Sequence, residues 1–155
     1  MKVYKSNIDV RIMEYFPSKT AAATFPDWVA NHAGLEQCIG VMGLLDPPFY
    51  EIRDMVFWNL HVADKLRSIE PTTPHGNDSE TVEKYFNLFN VSEFFLMAAT
   101  EAVDIEELVQ SFGQSLKYFW AMALQKRLPE KSFEIELSDN LFDEEGLCLT
   151  FWQAT

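Results

Sequence analysis

Two hydrophobic periods meet at Pro129, and that meeting constrains the fold more than any other feature of the chain. Upstream, Ile105, Leu108, Val109, Phe112, Leu116, Phe119, Trp120 and Ala123 recur at three- and four-residue steps, one face of an α-helix. Asp104 stands where an N-cap belongs. Glu107 follows at capping-box spacing, and Val103 and Leu108 are placed as a hydrophobic staple. Lys126 and Arg127 fall in the last turn, where cations suit the helix dipole, and Pro129 stops the helix. The pattern predicts about 25 residues of helix, roughly 37 Å. Gln110, Ser111, Gln114 and Ser115 give its first half a polar stripe; from Tyr118 to Leu124 nothing is strongly polar, so that half is expected to be covered on most sides.

Downstream the period is two. Phe133, Ile135 and Leu137 alternate with Glu134 and Glu136; Leu147, Leu149 and Phe151 alternate with Cys148, Thr150 and Trp152. These are read as an antiparallel pair joined by the loop Ser138–Gly146. A two-stranded ribbon is marginal in water, so it needs the long helix beneath it and further strands, expected at 49–59, beside it.

The remaining segments fit around this unit. Residues 1–16 match a helix or a strand, and the helix is preferred. Thr24-Phe25-Pro26-Asp27 opens a short helix to about Ala33, with Gly34 as its C′ residue. Leu35 to Leu45 continues at helical spacing until Asp46-Pro47-Pro48. Residues 49–68 read as one helix would put Asn59 in the apolar arc and Phe57 in the polar one. A hairpin turning at Arg53-Asp54, then a helix from about Leu60, fits better. After the turn-rich loop 70–77, a helix is expected from Asp78 or Ser79 past Phe89, with Val82, Tyr85, Phe86 and Phe89 inward, then a short one from Ser92 to about Glu101. The expected fold is a single α+β domain over residues 1–155. It is mostly helical, with a long central helix packed on a small antiparallel sheet that includes the C-terminal β-hairpin.

Composition removes several function classes. Apolar residues make up 48% of the chain, too many for a disordered one. No apolar run approaches the roughly 18 residues of a membrane span. Asn7 and Asp9 stand where a signal peptide would be apolar, so a cytoplasmic protein with reduced Cys38 and Cys148 is expected. Residues 78–155 carry five Lys/Arg against fifteen Asp/Glu, which accounts for −10 of the net −12. Nucleic acid and anionic membrane are polyanions and are disfavoured as partners; a basic protein is not.

Several segments taken in order, Leu44-Leu45-x-x-Pro48-Phe49-x-Glu51 with Val56-Phe57-Trp58, Val82-Glu83-x-x-x-Asn87, Phe119-Trp120 through Phe133, and Leu149-Thr150-Phe151-Trp152-Gln153, resemble a group of small acidic bacterial proteins of uncharacterised function. Some of these are similar to the immunity partners encoded beside polymorphic toxins. The resemblance covers roughly residues 35–153 and implies an α+β fold with the C-terminal hairpin in its sheet. It implies no catalytic residues.

No catalytic motif stands out from the residues themselves. His61 and Asp64, with Glu51 and Asp54, match no metal-ligand spacing, and Asp139, Asn140, Asp143, Glu144, Glu145 and Gly146 lack the closing acid of a calcium loop. No metal or other cofactor is expected. What remains is a surface: Glu134, Glu136, Asp139, Asp143, Glu144 and Glu145 gather about Trp152 on the outer face of the hairpin. A solvated sheet edge accounts for them. A binding face for a basic protein partner accounts for them too, since tryptophan is enriched at hot spots and acids steer cations. The expected function is therefore non-enzymatic protein binding, with toxin neutralisation as its sharpest form. A small enzyme of unknown type and a self-associating subunit stay open beside it.

Overall fold

In a computed structural model, which describes residues 2, 6–17, 24–98 and 100–154, the periods resolve into helices and two small sheets. A 3-10 turn, Val10–Tyr15, precedes α1 (Phe25–His32) and α2 (Leu35–Leu45). A hairpin of β1 (Tyr50–Ile52) and β2 (Met55–Phe57) leads into α3 (Leu60–Ser68). Then come α4 (Ser79–Phe86), β3 (Phe89–Asn90), α5 (Val91–Phe94), a 3-10 turn (Glu101–Asp104), α6 (Glu106–Arg127), β4 (Phe133–Asp139) and β5 (Leu147–Gln153). The larger sheet is antiparallel in the order β3-β5-β4, and β1 and β2 form a separate ribbon. This is the expected α+β domain, with the long helix packed on the strands.

α6 buries Gly113, Leu116, Trp120, Ala123 and Leu124. Gly113 lets the helix lie close on the sheet: a methyl there would stand 3.0 Å from Leu147 Cδ2 and 3.1 Å from Leu137 Cδ1. Trp120 is fully buried among Trp58, Phe89 and Phe151, with ring centres 5.4 to 6.0 Å apart, and its Nε1–H donates to the Leu44 carbonyl at 2.9 Å. That bond ties the end of α2 to the core. Arg127 then fixes the following turn by pairing with Asp46 at 2.7 Å and donating to the Pro47 carbonyl.

Several local expectations change. Asp104 does not cap α6; it closes a 3-10 turn started by Thr100, whose hydroxyl accepts from the Ala102 N–H, and Ile105 becomes an N-cap without a side-chain bond. Tyr118 and Met122 are about half exposed, so the second half of α6 is not covered on most sides. Gly34 follows the C-cap Ala33 of α1 as expected, but it is extended (φ −77°) and also serves as the N-cap of α2. Of the preferred N-terminal helix over residues 1–16, residues 1 and 3–5 lie outside the described residues; the described ones form a 3-10 turn held by the Asp9 carboxylate on the Arg11 N–H. α4 stops at Phe86, and Phe89 belongs to a strand because it pairs with Leu149 of β5. Of the helix expected from Ser92 to about Glu101, the described residues form the single turn α5; Ala99 lies outside them.

The hairpin reading of 49–59 holds. Arg53 and Asp54 both take positive φ, 53° and 66°, the mirror-image turn that suits the twist of two strands. Asn59 is the N-cap of α3, its Oδ1 accepting from His61 and Val62, which explains why it fitted no helical face.

Candidate functional site

The structure is organised around two buried polar side chains of α4 and its C-cap. In antiparallel pairing, alternate residues point their backbone groups to one neighbour and then the other. The Arg53-Asp54 turn makes Ile52 and Met55 a bonded pair, so Val56 of β2 turns its N–H and C=O away from β1. Ala154 donates to the Ser132 carbonyl at 2.9 Å and Asn140 to that of Gly146 at 3.0 Å, so even-numbered residues of β5 face β4 and odd-numbered ones face away. Glu83, 1% exposed, and Asn87, fully buried, fill the seam between these two outward edges. The Glu83 carboxylate accepts from the Val56 N–H at 2.7 Å, the Gln153 N–H at 2.8 Å and the Gln153 side-chain amide at 2.8 Å. The Asn87 amide donates to the carbonyls of Val56 (2.8 Å) and Phe151 (3.1 Å), while its Oδ1 accepts from the Trp58 N–H at 3.3 Å. Ser92 Oγ accepts from the Leu147 N–H at 2.9 Å. Side chains thus continue the work of the two-residue strand β3 along the rest of β5.

The acidic hairpin is placed differently from its sequence reading. Register sets Glu134 opposite Trp152 and Glu136 opposite Thr150. Yet β5 is the central strand, and α4 lies across its outer face. The Thr150 hydroxyl is buried and donates to the Lys84 carbonyl at 2.6 Å, and the Lys84 ammonium sits 3.7 Å from the Trp152 ring centre. Trp152 is therefore half-buried with a cation on one face, and Lys84 also pairs with Glu80 at 3.1 Å.

The six acids divide into two groups. Glu134 is exposed and Glu136 half-buried beside Trp152; Asp139 lies at the other end of β4, about 17 Å along the strand. Asp143, Glu144 and Glu145 are exposed in the loop beyond it. That loop is anchored by Phe142, whose ring packs on His75 and Tyr85, and Asp143 stands 3.9 Å from His75 Nε2. Sequence reading missed the Phe142 anchor, which has no periodic partner to reveal it. Among the described residues, no basic side chain pairs with Glu134, Glu136, Asp139, Glu144 or Glu145. The arginines at 11, 53, 67 and 127, with Lys84 and Lys131, are engaged elsewhere.

Other candidates have structural accounts. Glu51 pairs with Lys131 at 3.0 Å, which also donates to the Asp54 carbonyl; Asp64 pairs with Arg67 at 3.5 Å, and His61 lies in the first turn of α3. Among the described residues no group of three His, Cys, Asp or Glu side chains is placed to hold a metal ion. Cys38 and Cys148 are free thiols, and burial pushes the Cys148 thiol above its ordinary pKa. A cavity of about 570 Å³ opens between the N-terminal helices and the first half of α6, lined almost wholly by apolar groups such as Ile12, Phe16, Trp28, Phe95 and Phe112. Among the described residues its hydroxyls are those of Thr100, Ser111 and Ser115, and Ser115 donates to the Ser111 carbonyl.

No protein-family model matches the chain, and no curated protein or solved structure matches it significantly. Among the described residues no helix is long and apolar enough to cross a membrane.

Proposed function

We propose that this protein is a non-enzymatic binding module for a basic protein partner, with the acidic C-terminal hairpin as its docking surface. The supporting observation is the absence of counter-charges. Glu134, Glu136, Asp139, Glu144 and Glu145 lie on one hairpin with no cation paired to them among the described residues. Such a surface raises the on-rate of a cationic partner and repels polyanions. Glu134, Glu136 and Trp152 form the patch nearest the sheet, and Asp139, Asp143, Glu144 and Glu145 extend it at the loop end. Neutralisation of a basic toxin in the cytoplasm is the role within this class that agrees with the sequence resemblance; self-association is the competing use of the same edge.

The test is kinetic. A partner recovered by co-purification is itself purified, and its binding is followed at rising salt. Glu134→Lys with Glu136→Lys should slow association and flatten its salt dependence, because exposed charges act over about 8 Å at physiological ionic strength. Trp152→Ala should raise the off-rate, at a cost of about 2 kcal/mol. Unchanged rates for the folded triple variant would place the binding surface elsewhere.

A further inference from the structure

The same alternation that explains Glu83 and Asn87 exposes an unfinished edge. On β4 the even-numbered residues bond to β5, so Phe133, Ile135, Leu137 and Asp139 turn their N–H and C=O groups outward. β4 is the edge of its sheet, and among the described residues no hydrogen bond from outside the β4–β5 pairing reaches its backbone between Phe133 and Asp139. The contrast with β5 and β2 is sharp. Their outward groups are taken up by β3, Glu83, Asn87 and Ser92, whereas β4 offers donors and acceptors about 7 Å apart along seven residues.

We propose that β4 is a strand-addition site, completed by an extended segment of the basic partner that becomes a fourth strand of the sheet. This rests on the proposed function and specifies its binding mode. The occupant follows from the two faces of β4. Directly opposed residues in a sheet share a face. Partner residues opposite Phe133, Ile135 and Leu137 therefore lie on the apolar face next to α6. The residues between them lie beside Glu134 and Glu136. An extended segment alternating apolar residues with Lys or Arg satisfies both faces while its backbone satisfies the edge. A second copy of this chain fits less well: the fullest antiparallel overlap of two β4 strands sets Glu136 against Glu136, and like charges directly opposite are destabilising.

With the added strand antiparallel to β4, as every pairing in this sheet already is, the partner amides that face β4 are those of the apolar residues. Three synthetic peptides of one sequence, alternating lysine and valine, isolate this. One is unmodified, one is N-methylated at every valine and one at every lysine. In NMR titrations at low salt the unmodified and lysine-methylated peptides should bind, and the valine-methylated peptide should bind at least about tenfold more weakly. The amides of Phe133, Ile135 and Leu137, fast to exchange in the free protein, should become protected, while those of Glu134 and Glu136 are slow throughout. Equal binding of all three peptides would overturn strand addition and leave a purely electrostatic docking surface. Failure of all three to bind would remove the acidic hairpin as a binding site altogether. Slow exchange at Ile135 and Leu137 in the free protein would show that the edge is already occupied, and would equally overturn the proposal.

Discussion

Replacing Asn87 by alanine is expected to be among the most damaging single changes in the molecule. The side chain is fully buried and serves three groups: it donates to the Val56 and Phe151 carbonyls and accepts from the Trp58 N–H. Alanine is accepted by the helix end, so the loss is one of bonding. Each buried group left without a partner costs about 1–3 kcal/mol, and three together come to about 3–6 kcal/mol after partial relaxation. A domain of this kind is stable by about 5–15 kcal/mol, so the variant forfeits about a fifth of that or more. Urea unfolding followed by tryptophan fluorescence should show the midpoint falling with little change in slope, and Tm should fall by about 6–20 °C. Asn87→Asp is the informative companion. It keeps the shape and the acceptor for Trp58 but sets an oxygen against two carbonyl oxygens, so it should rescue nothing. Because Glu83 and Asn87 share Val56, Glu83→Gln combined with Asn87→Ala should cost less than the two changes added. A loss of under about 1 kcal/mol for Asn87→Ala would refute the argument that this amide joins the two sheets.

Two glycines of similar local pattern should respond oppositely. Gly40→Ala in α2 meets nothing within 4 Å and should stabilise by about 0.5–1 kcal/mol, whereas Gly113→Ala must push into Leu147 and Leu137 and should destabilise by about 1 kcal/mol or more, both read from urea midpoints. The thiols should separate in the native state: Cys38, half-buried, should react with a disulfide reagent at pH 8, while Cys148, with its pKa raised by burial, should react only as the protein unfolds. The Asp78 carboxylate that caps α4 is held below its ordinary pKa of 3.8, first by the Thr81 backbone N–H. Its stabilisation is present above that value and lost as pH falls through the lower folded value. The Tm gap between wild type and Asp78→Asn should accordingly narrow in acid; a gap independent of pH would remove the carboxylate's charge from the account.

Local chemistry was the legible part of this sequence. The alternation through Phe133–Leu137 and Leu147–Phe151 produced β4 and β5 as an antiparallel pair, and the misplaced Asn59 pointed to a helix start where one exists. Phe89 misled because Val82, Tyr85, Phe86 and Phe89 keep helical spacing while the pairing that makes Phe89 a strand residue comes from Leu149. Asp104 had correct capping-box spacing, but the Thr100 turn claimed its backbone first. The candidate site was visible as a set of acids and a tryptophan. Its division into two groups was not, because the cover over β5 comes from Lys84 and the loop anchor from His75 and Tyr85. The spacing of Glu83 and Asn87 on one helix face is plain in the sequence, yet their partners lie 27 to 70 residues away.

The seam at Glu83 and Asn87 also sets how the chain reaches its native state. Asn87 bonds to Val56, 31 residues earlier, and to Phe151, 64 residues later. Closing loops of those lengths costs about 3–4 kcal/mol each in chain entropy, and the bonds repay it only once both strands have arrived. Before then the outward groups of Val56, Phe151 and Gln153 lack their partners, so neither the β1–β2 ribbon nor the larger sheet offers a stable resting point on its own. Refolding should therefore run as one slow event for a domain this rich in helix, with the helical signal and the burial of Trp120 recovering at a single rate. Weakening Val56 or Phe151 should then act on that shared rate, whichever sheet carries the change.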